Sequence, residues 1–391
     1  MSDAVVILSY ARTPMGGFQG ALGSVAATAL GATAVRAAVA RAGDPAIDGI
    51  VMGCVLPAGL GQAPARQAAL GAGLPQSVTA ITINKMCGSG MQAAIIAHDM
   101  LVAGSADMLV AGGMESMTNA PYLLAKHRSG ARIGHDVVKD SMFLDGLEDA
   151  YDPGKLMGAF AEEAAQAYQF TRAAQDDYAL ESLRRAQAAI ASGAFAREIV
   201  GVEVAGRKGT ETVAFDEQPG KAQPDKIPTL RPAFAKDGTI TAANASSISD
   251  GAAALVMTRA SVAAAHDLTP VARLVAHAAH AHAPGLFTTA PVPAIQKALV
   301  KAGWTVADVD LFEINEAFAV VAMIAMRELG IAHDRINING GATALGHPIG
   351  ASGARIMSTL ISALQTHGLK RGVASLCIGG GEATAVAIEL V

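Results

Sequence analysis

Three side chains in this sequence stand where a thiol or an imidazole can do covalent chemistry. Cys87 lies in Asn84-Lys85-Met86-Cys87-Gly88-Ser89-Gly90-Met91, between an apolar run that reads as a strand and an Ala-rich run that reads as a helix. A thiol at a helix N-terminus faces unpaired N–H groups and the positive end of the dipole, which lower its pKa and favour the nucleophilic thiolate. The competing reading is a small buried hydrophobe, the common fate of a free cysteine. His347 sits in Asn339-Gly340-Gly341-Ala342-Thr343-Ala344-Leu345-Gly346-His347-Pro348-Ile349-Gly350-Ala351-Ser352-Gly353, just ahead of a helical pattern. Pro348 biases the backbone of His347 towards extended geometry and so aims the ring. A neutral imidazole beside a thiol is the usual means of drawing off its proton, although a lone histidine is more often structural. Cys377 ends an apolar run and opens onto Ile378-Gly379-Gly380-Gly381. That places a thiol at the carboxyl edge of a sheet, where open α/β folds bind ligands, next to N–H groups able to form an oxyanion hole. By itself Cys377 is better explained as a buried strand thiol. Asn315, in Asn315-Glu316-Ala317-Phe318-Ala319, can hold a water or a substrate oxygen, or simply cap the following helix.

Other titratable groups are less suggestive. His277, His280 and His282 read as strand and loop positions; their spacing lacks matching Cys or acidic ligands, so no metal site is expected. Cys54, Cys87 and Cys377 are odd in number and far apart, which argues for free thiols and against a disulfide framework.

These residues need a frame. In 391 residues, 51% hydrophobic and 16% charged, the chain is globular and long enough for two or three structural units. A mean hydropathy of +0.35 raises the question of membrane spans. The apolar runs are too short: Ala317 to Met326 is bounded by Glu316 and Arg327, where a span needs about 20 apolar residues. The surplus is expected in buried helices and a subunit interface. A net charge of −5 without a Lys/Arg run gives no footprint for nucleic acid or a membrane surface. The chain enters strand-like sequence at Val5–Ser9 without a basic leader, so a cytoplasmic location is expected.

Short apolar runs alternate with Ala-rich helical patterns in the first 114 residues and again from 245 to 391, which predicts α/β halves with sheets covered on both faces. Between them, residues 115–244 carry more charge, several prolines and one strong helix, Arg172–Ser192, and read as an inserted cap. A faint duplication links Leu109–Ser116 (LVAGGMES) with Leu376–Thr384 (LCIGGGEAT); each runs an apolar strand into a Gly-rich turn after a long helix.

Taken together, Val6–Gly16, Gly59–Ala69, Asn84–Gly90, Gly112–Tyr122, Thr239–Ala254, Asn315–Ala319, Gly340–Arg355 and Cys377–Gly381 resemble the motifs of the thiolase family, in the family's order, along essentially the whole chain. The closest branch is that of the acetyl-CoA acetyltransferases, or acetoacetyl-CoA thiolases. The resemblance implies an α/β thiolase-like fold: two similar five-layered halves with mixed sheets covered by helices, plus an inserted cap or loop domain. It implies that Cys87 carries the acyl group as a thioester, that His347 activates it and then contacts the thioester oxygen, and that Cys377 moves the α-proton of acetyl-CoA. Asn315 matches the residue holding a water in the first oxyanion hole; the N–H groups of Cys87 and Gly379 match the second. Ser246 matches a contact to the pantetheine arm, and Leu147, Met157, Phe234, Ala242, Phe287 and Phe318 match the walls of the coenzyme A site. The resemblance implies further that no cofactor is held tightly and that coenzyme A and acetyl-CoA are substrates. A dimer at least, and a tetramer with contacts from Gly112–Gly146, is implied.

The residues themselves carry the logic. A Claisen condensation needs an acyl electrophile held on the protein and a carbanion made beside it, with its enolate oxygen stabilised as charge develops. One acylated cysteine cannot also be the base, so a second is needed, and turnover should be ping-pong. Four departures from the family pattern stand out: Leu156 where His-Met-Gly is common, Phe287 where methionine is frequent, Lys221 and Lys226 in a coenzyme A loop, and Glu382 where a small or apolar residue is usual. The first two bear on chain length and leave a degradative 3-ketoacyl-CoA thiolase of broader range as the alternative. A ketoacyl synthase would need a second histidine where Cys377 stands. A Cys/His hydrolase leaves Cys377 without a role, and a silent acyl-binding protein would not need all three groups.

Overall fold

A computed structural model describes residues 3–206 and 209–391 of the chain. The principal strands are β1 (Val5–Arg12), β2 (Gly49–Gly53), β3 (Thr79–Ile83), β4 (Met108–Ser116), β5 (Val202–Gly206), β6 (Gly209–Val213), β7 (Ser249–Arg259), β8 (Ala272–Ala281), β9 (Leu311–Ile314), β10 (Arg371–Ile378) and β11 (Glu382–Leu390). The principal helices are α1 (Ala27–Arg41), α2 (Pro64–Gly71), α3 (Ser89–Val102), α4 (Met157–Ala167), α5 (Arg172–Ser192), α6 (Pro291–Ala302), α7 (Ala319–Leu329) and α8 (Ser352–His367).

Nine strands run in the order β9-β10-β11-β8-β1-β7-β4-β2-β3. In the first half β2 lies parallel to β3 and β4, while β7 lies antiparallel to β4 and β1. In the second, β9 lies parallel to β10, and β11 antiparallel to β10 and β8. The two arrays meet at β1 and β8 through Val6↔Arg273 and Ile7↔Ala272. Read outwards from this joint, β1-β7-β4-β2 and β8-β11-β10-β9 repeat one pattern. The two strands of the faint sequence duplication, β4 and β10, occupy equivalent places in it.

The strands bury both faces, as the near-continuous apolar runs require. On β4, Val110 and Met114 face α1 and α2, while Leu109 and Ala111 face α3 and α8. On β10, Ala374 and Leu376 face α3 and α8, while Val373 and Cys377 face α6 and α7. The result is five layers: α1/α2, a sheet, α3/α8, a sheet, α6/α7. Because α3 and α8 are covered by both sheets, α8 buries every residue from Ser352 to Leu364. No described helix is long and apolar enough to cross a membrane.

The boundary expected at residues 244/245 falls ahead of β7, and both neighbours of β7, namely β1 and β4, belong to the first half. Paired by hydrogen bonds, the second half starts after β7. Residues 115–244, the segment expected as a cap, hold α4, α5 and the hairpin β5–β6. Helix α5 is capped at both ends: Ala174 N donates to Thr171 Oγ1 at 3.1 Å, and Gly193 closes it with φ 75°. Its inner face is pinned to the second half by Glu316, which accepts from Tyr178 Oη at 2.9 Å and Ser182 Oγ at 2.8 Å.

Candidate active site

Cys87 occupies a tight elbow between β3 and α3. Gly88 N donates to Lys85 O at 3.0 Å, Ser89 N to Met86 O at 3.0 Å, Lys85 N to Ser89 Oγ at 2.8 Å and Met86 N to Asn84 Oδ1 at 2.9 Å. These bonds hold Met86 at φ 47°, a left-handed conformation that costs a non-glycine residue about 1 kcal/mol or more. The elbow is pressed against the end of β10: a Cβ on Gly88 would lie 2.3 Å from Ile378 Cδ1, so a side chain there would force Ile378 to move. Across this contact the N–H of Gly379, together with that of Cys87 itself, is directed at the Cys87 sulfur.

The helix-terminus argument predicted a depressed thiol pKa at Cys87, and the structure overturns it. Burial pushes the thiol up to about 11; the N–H groups of Gly379 and Cys87 pull it down only in part. Helix α3 begins two residues further on, at Ser89. Burial, followed by the coulombic effect of Arg355, brings His347 down to about 3. The resting pair is therefore a neutral thiol and a neutral imidazole. The sign of the pH effect follows: the thiolate fraction of Cys87 rises with pH, so iodoacetamide alkylation in the absence of substrate should accelerate close to tenfold per pH unit from pH 7 and level off near pH 11. A plateau at neutral pH would show that the thiolate is the resting form.

The tautomer of His347 is set by its neighbour. Ser352 Oγ donates to Pro348 O at 2.9 Å, so its lone pair faces His347 Nδ1 at 2.6 Å and receives the ring proton there. Nε2 is left as the basic nitrogen. Asn315 Nδ2 lies 3.5 Å from each ring nitrogen, and its Oδ1 faces Arg355 Nη2 at 3.4 Å, which turns the amide nitrogen towards the ring.

Cys87, His347, Cys377 and Gly379 line one cavity of about 400 Å³. Residues from β3–α3, the loop before α8 and the end of β10 thus converge on one space. Asn315 is buried behind His347 and is not part of the wall. Ser246, Ala242, Leu147 and Met157, expected along the acyl and pantetheine path, line the same cavity. So do Phe234, Phe287 and Phe318, whose rings pack against one another at 6.1 and 6.3 Å between centroids. Leu156 joins them. Burial holds the Cys377 thiol well above its ordinary pKa, with the nearby Cys87 thiolate as the next cause.

A second cavity of about 330 Å³ shares Ala242 and Ser247 with the first and is bordered by Lys221, Lys226, Gln218 and Gln223. Lys221 also pairs with Glu217. His277 and His280 lie on β8 and His282 in the loop beyond it. Contrary to the expectation that no ligand partners lie near, His277 Nε2 and His98 Nδ1 both reach Asp99 Oδ1, at 3.1 and 2.9 Å. His98 and Asp99 lie on α3 about 15 Å beyond Cys87 by helix rise, with His277 reaching them from β8, and none of the three lines the cavity.

Two residues that local sequence does not advertise complete the frame. Ser352 looks like an ordinary helix residue; its signal is its spacing of five from His347. Glu115, buried at the end of β4, accepts from Val55 N at 2.9 Å, Leu56 N at 3.1 Å and Gly350 N at 2.9 Å, fastening the loop after His347 to the first half. Burial raises its carboxyl to about 7.

Comparison with known proteins gives one pattern. Residues 5–261 match the family model "Thiolase, N-terminal domain" and residues 268–390 match "Thiolase, C-terminal domain". Acetyl-CoA acetyltransferase 2 of Arabidopsis thaliana is 51% identical over 393 residues, covering 99% of this chain and 97% of its own. Acetyl-CoA acetyltransferase of Escherichia coli K12 is 50% identical over 388 residues, covering 98% of each. The crystal structure of the Bacillus anthracis acetyl-CoA acetyltransferase superposes with a TM-score of 0.97 at 39% identity, covering 100% of this chain and 99% of the other.

Proposed function

The chain belongs to the thiolase family, and from that premise we propose that it joins two molecules of acetyl-CoA into acetoacetyl-CoA and free coenzyme A, or runs the reverse thiolysis. The observation that carries this reading is the meeting of Cys87, His347 and Cys377 around one apolar cavity, with the N–H of Gly379 directed at the Cys87 sulfur.

Proton counting assigns the steps. His347 Nε2 takes the Cys87 proton as the sulfur attacks the thioester carbonyl, whose oxygen is held by the N–H groups of Cys87 and Gly379. The coenzyme A thiolate leaves, taking a proton from Cys377. What remains is an acetyl-Cys87 thioester, a Cys377 thiolate and protonated His347. The thiolate, made strongly basic by burial, removes the α-proton of the second acetyl-CoA. The enolate oxygen is met by protonated His347 and by a water on Asn315. The enolate carbon attacks acetyl-Cys87, the Cys87 sulfur departs, and it recovers its proton from His347. All three groups return to their neutral resting forms. The neutral pair found at rest suits this cycle, because no charge is stored in a dry site before substrate brings the electrophile.

Coenzyme A would thread past Ser246 and the wall shared at Ala242 and Ser247, with its phosphates towards Lys221 and Lys226. Ring packing of Phe234, Phe287 and Phe318 around the cysteines favours a short acyl group. Tyr122, Leu124, Ile133, Val137 and Val138 stand exposed in the segment after β4, and β3 is the outer strand of the sheet with Ile81 exposed. Both features support an oligomer, a dimer through the open edge and a tetramer through the exposed segment. Three free thiols suit a reducing compartment.

Incubation with acetyl-CoA alone tests the reading. One acetyl group per chain should appear on Cys87, coenzyme A should be released, and that thiol should become protected from iodoacetamide. Neither release nor protection would end the thiolase assignment for this chain.

A further inference from the structure

Glu382, one of the departures from the family pattern, pairs with Lys85. The two lie 297 positions apart, one in the nucleophile elbow and one at the first position of β11, opposite Ile378 in register. We propose that this ion pair is a clasp that holds the elbow against the Cys377–Gly381 loop, which makes Lys85 and Glu382 positioning residues for the condensation. The inference rests on the thiolase reading and adds to it two residues that touch neither substrate nor the reacting atoms.

Three observations support the clasp. Of the hydrogen bonds of residues 84–89 described above, only that from the Gly379 N–H to the Cys87 sulfur crosses to the β10 loop; Asn84 Nδ2 to Val55 O at 3.3 Å ties the elbow to its own half, and the others are internal to it. The internal bonds fix the elbow's shape, and besides the Gly379 contact and the packing of Gly88 on Ile378 the ion pair is what holds its distance from β10. Next, Met86 is held in a strained conformation, and such residues persist where the surroundings hold them in place. Finally, the second oxyanion hole is split between the two loops, with one N–H from Cys87 and one from Gly379. A separation of a few tenths of an ångström would weaken both the hole and the hydrogen bond to the sulfur. The Lys85 and Glu382 side chains are 25% and 36% exposed, so the pair is partly shielded from solvent while its removal leaves no deeply buried charge.

The test uses Lys85→Met, Glu382→Ala, the double variant and the exchange Lys85→Glu/Glu382→Lys in the full-length protein. Each single variant should lower kcat for acetoacetyl-CoA thiolysis roughly fivefold, with KM for coenzyme A within about twofold, as expected when one partly shielded ion pair is lost from a preorganised site. The double variant should be no worse than either single, and the exchange should regain most of the activity. Raising NaCl from about 0.05 to 1 M should slow the wild type and leave Lys85→Met unchanged. Thermal melting of each variant close to wild type separates positioning from general unfolding. Unchanged kcat in both singles, additive losses in the double variant, or an exchange that restores nothing would each overturn the clasp. Acetylation of Cys87 in the wild type is read alongside, so failure of the clasp and failure of the thiolase reading give different results.

Discussion

Cys377→Ala is expected to take up acetyl from acetyl-CoA on Cys87 at a rate within reach of wild type, yet to form acetoacetyl-CoA at least a thousandfold more slowly. The first half survives because coenzyme A thiolate is a stable leaving group that can depart without a proton from Cys377. The second half fails because no other base stands at the α-carbon. His347 is already protonated at that stage, Cys87 is acylated, and the remaining wall, Phe234, Phe287, Phe318 and Leu156 with Ser246 and Ser247 among it, offers no other base. Positioned general bases contribute about 10²–10⁴-fold, and here the proton is weakly acidic and the site dry, which places the loss near the upper end. The measurement is acetyl incorporation by mass spectrometry beside the appearance of acetoacetyl-CoA. Condensation at a wild-type rate would remove Cys377 from the mechanism. Loss of acetylation to the same extent would show that Cys377 is needed before the carbanion step.

How much of this was legible in the sequence depends on the range over which each feature is determined. The core strands were legible because residues such as Val5, Val110 and Val373 sit in unbroken apolar runs that only a doubly covered strand can bury. Helix α5 was legible to the residue, since Thr171 and Gly193 mark its ends locally. Helix α4 was not. It follows Pro153 and Gly154 in a stretch of irregular texture, and its apolar face, Phe160, Ala161 and Ala165, packs in a cluster that draws on residues far along the chain, in the second half. The place of β7 between β1 and β4 was equally hidden, because pairing across more than a hundred residues leaves no local trace.

The site divides in the same way. Cys87, His347 and Cys377 could be picked out by glycine-rich turns at strand and helix ends, but their ionisation could not. The dipole argument at Cys87 used the local chain and pointed down; burial by β10 and the cap acts over long range and pushes the pKa up to about 11. Local sequence supplies the groups, and packing decides their protonation.

That division is sharpest at His347, where the second large effect is expected. His347→Ala should slow both half-reactions by about three orders of magnitude, in contrast to Cys377→Ala, which separates them. The acetylation step loses its acceptor for the Cys87 proton, and a thiol with a pKa near 11 supplies little thiolate at neutral pH. The condensation step loses the donor to the enolate oxygen. Raising the pH should therefore rescue acetylation in His347→Ala by ionising Cys87 directly, while condensation stays low because no proton donor returns. Ser352→Ala isolates the tautomer. With the 2.6 Å partner of Nδ1 removed, the ring can carry its proton on Nε2, where it cannot accept from Cys87, and a loss of about tenfold to a hundredfold is expected, as for other residues that orient a functional imidazole. Buried Ser352 has no charge, so its removal should leave the pH dependence of Cys87 alkylation in place while lowering kcat. If Ser352→Ala acetylates Cys87 as fast as wild type, the hydroxyl does not choose the tautomer, and the assignment of Nε2 as the base loses its support.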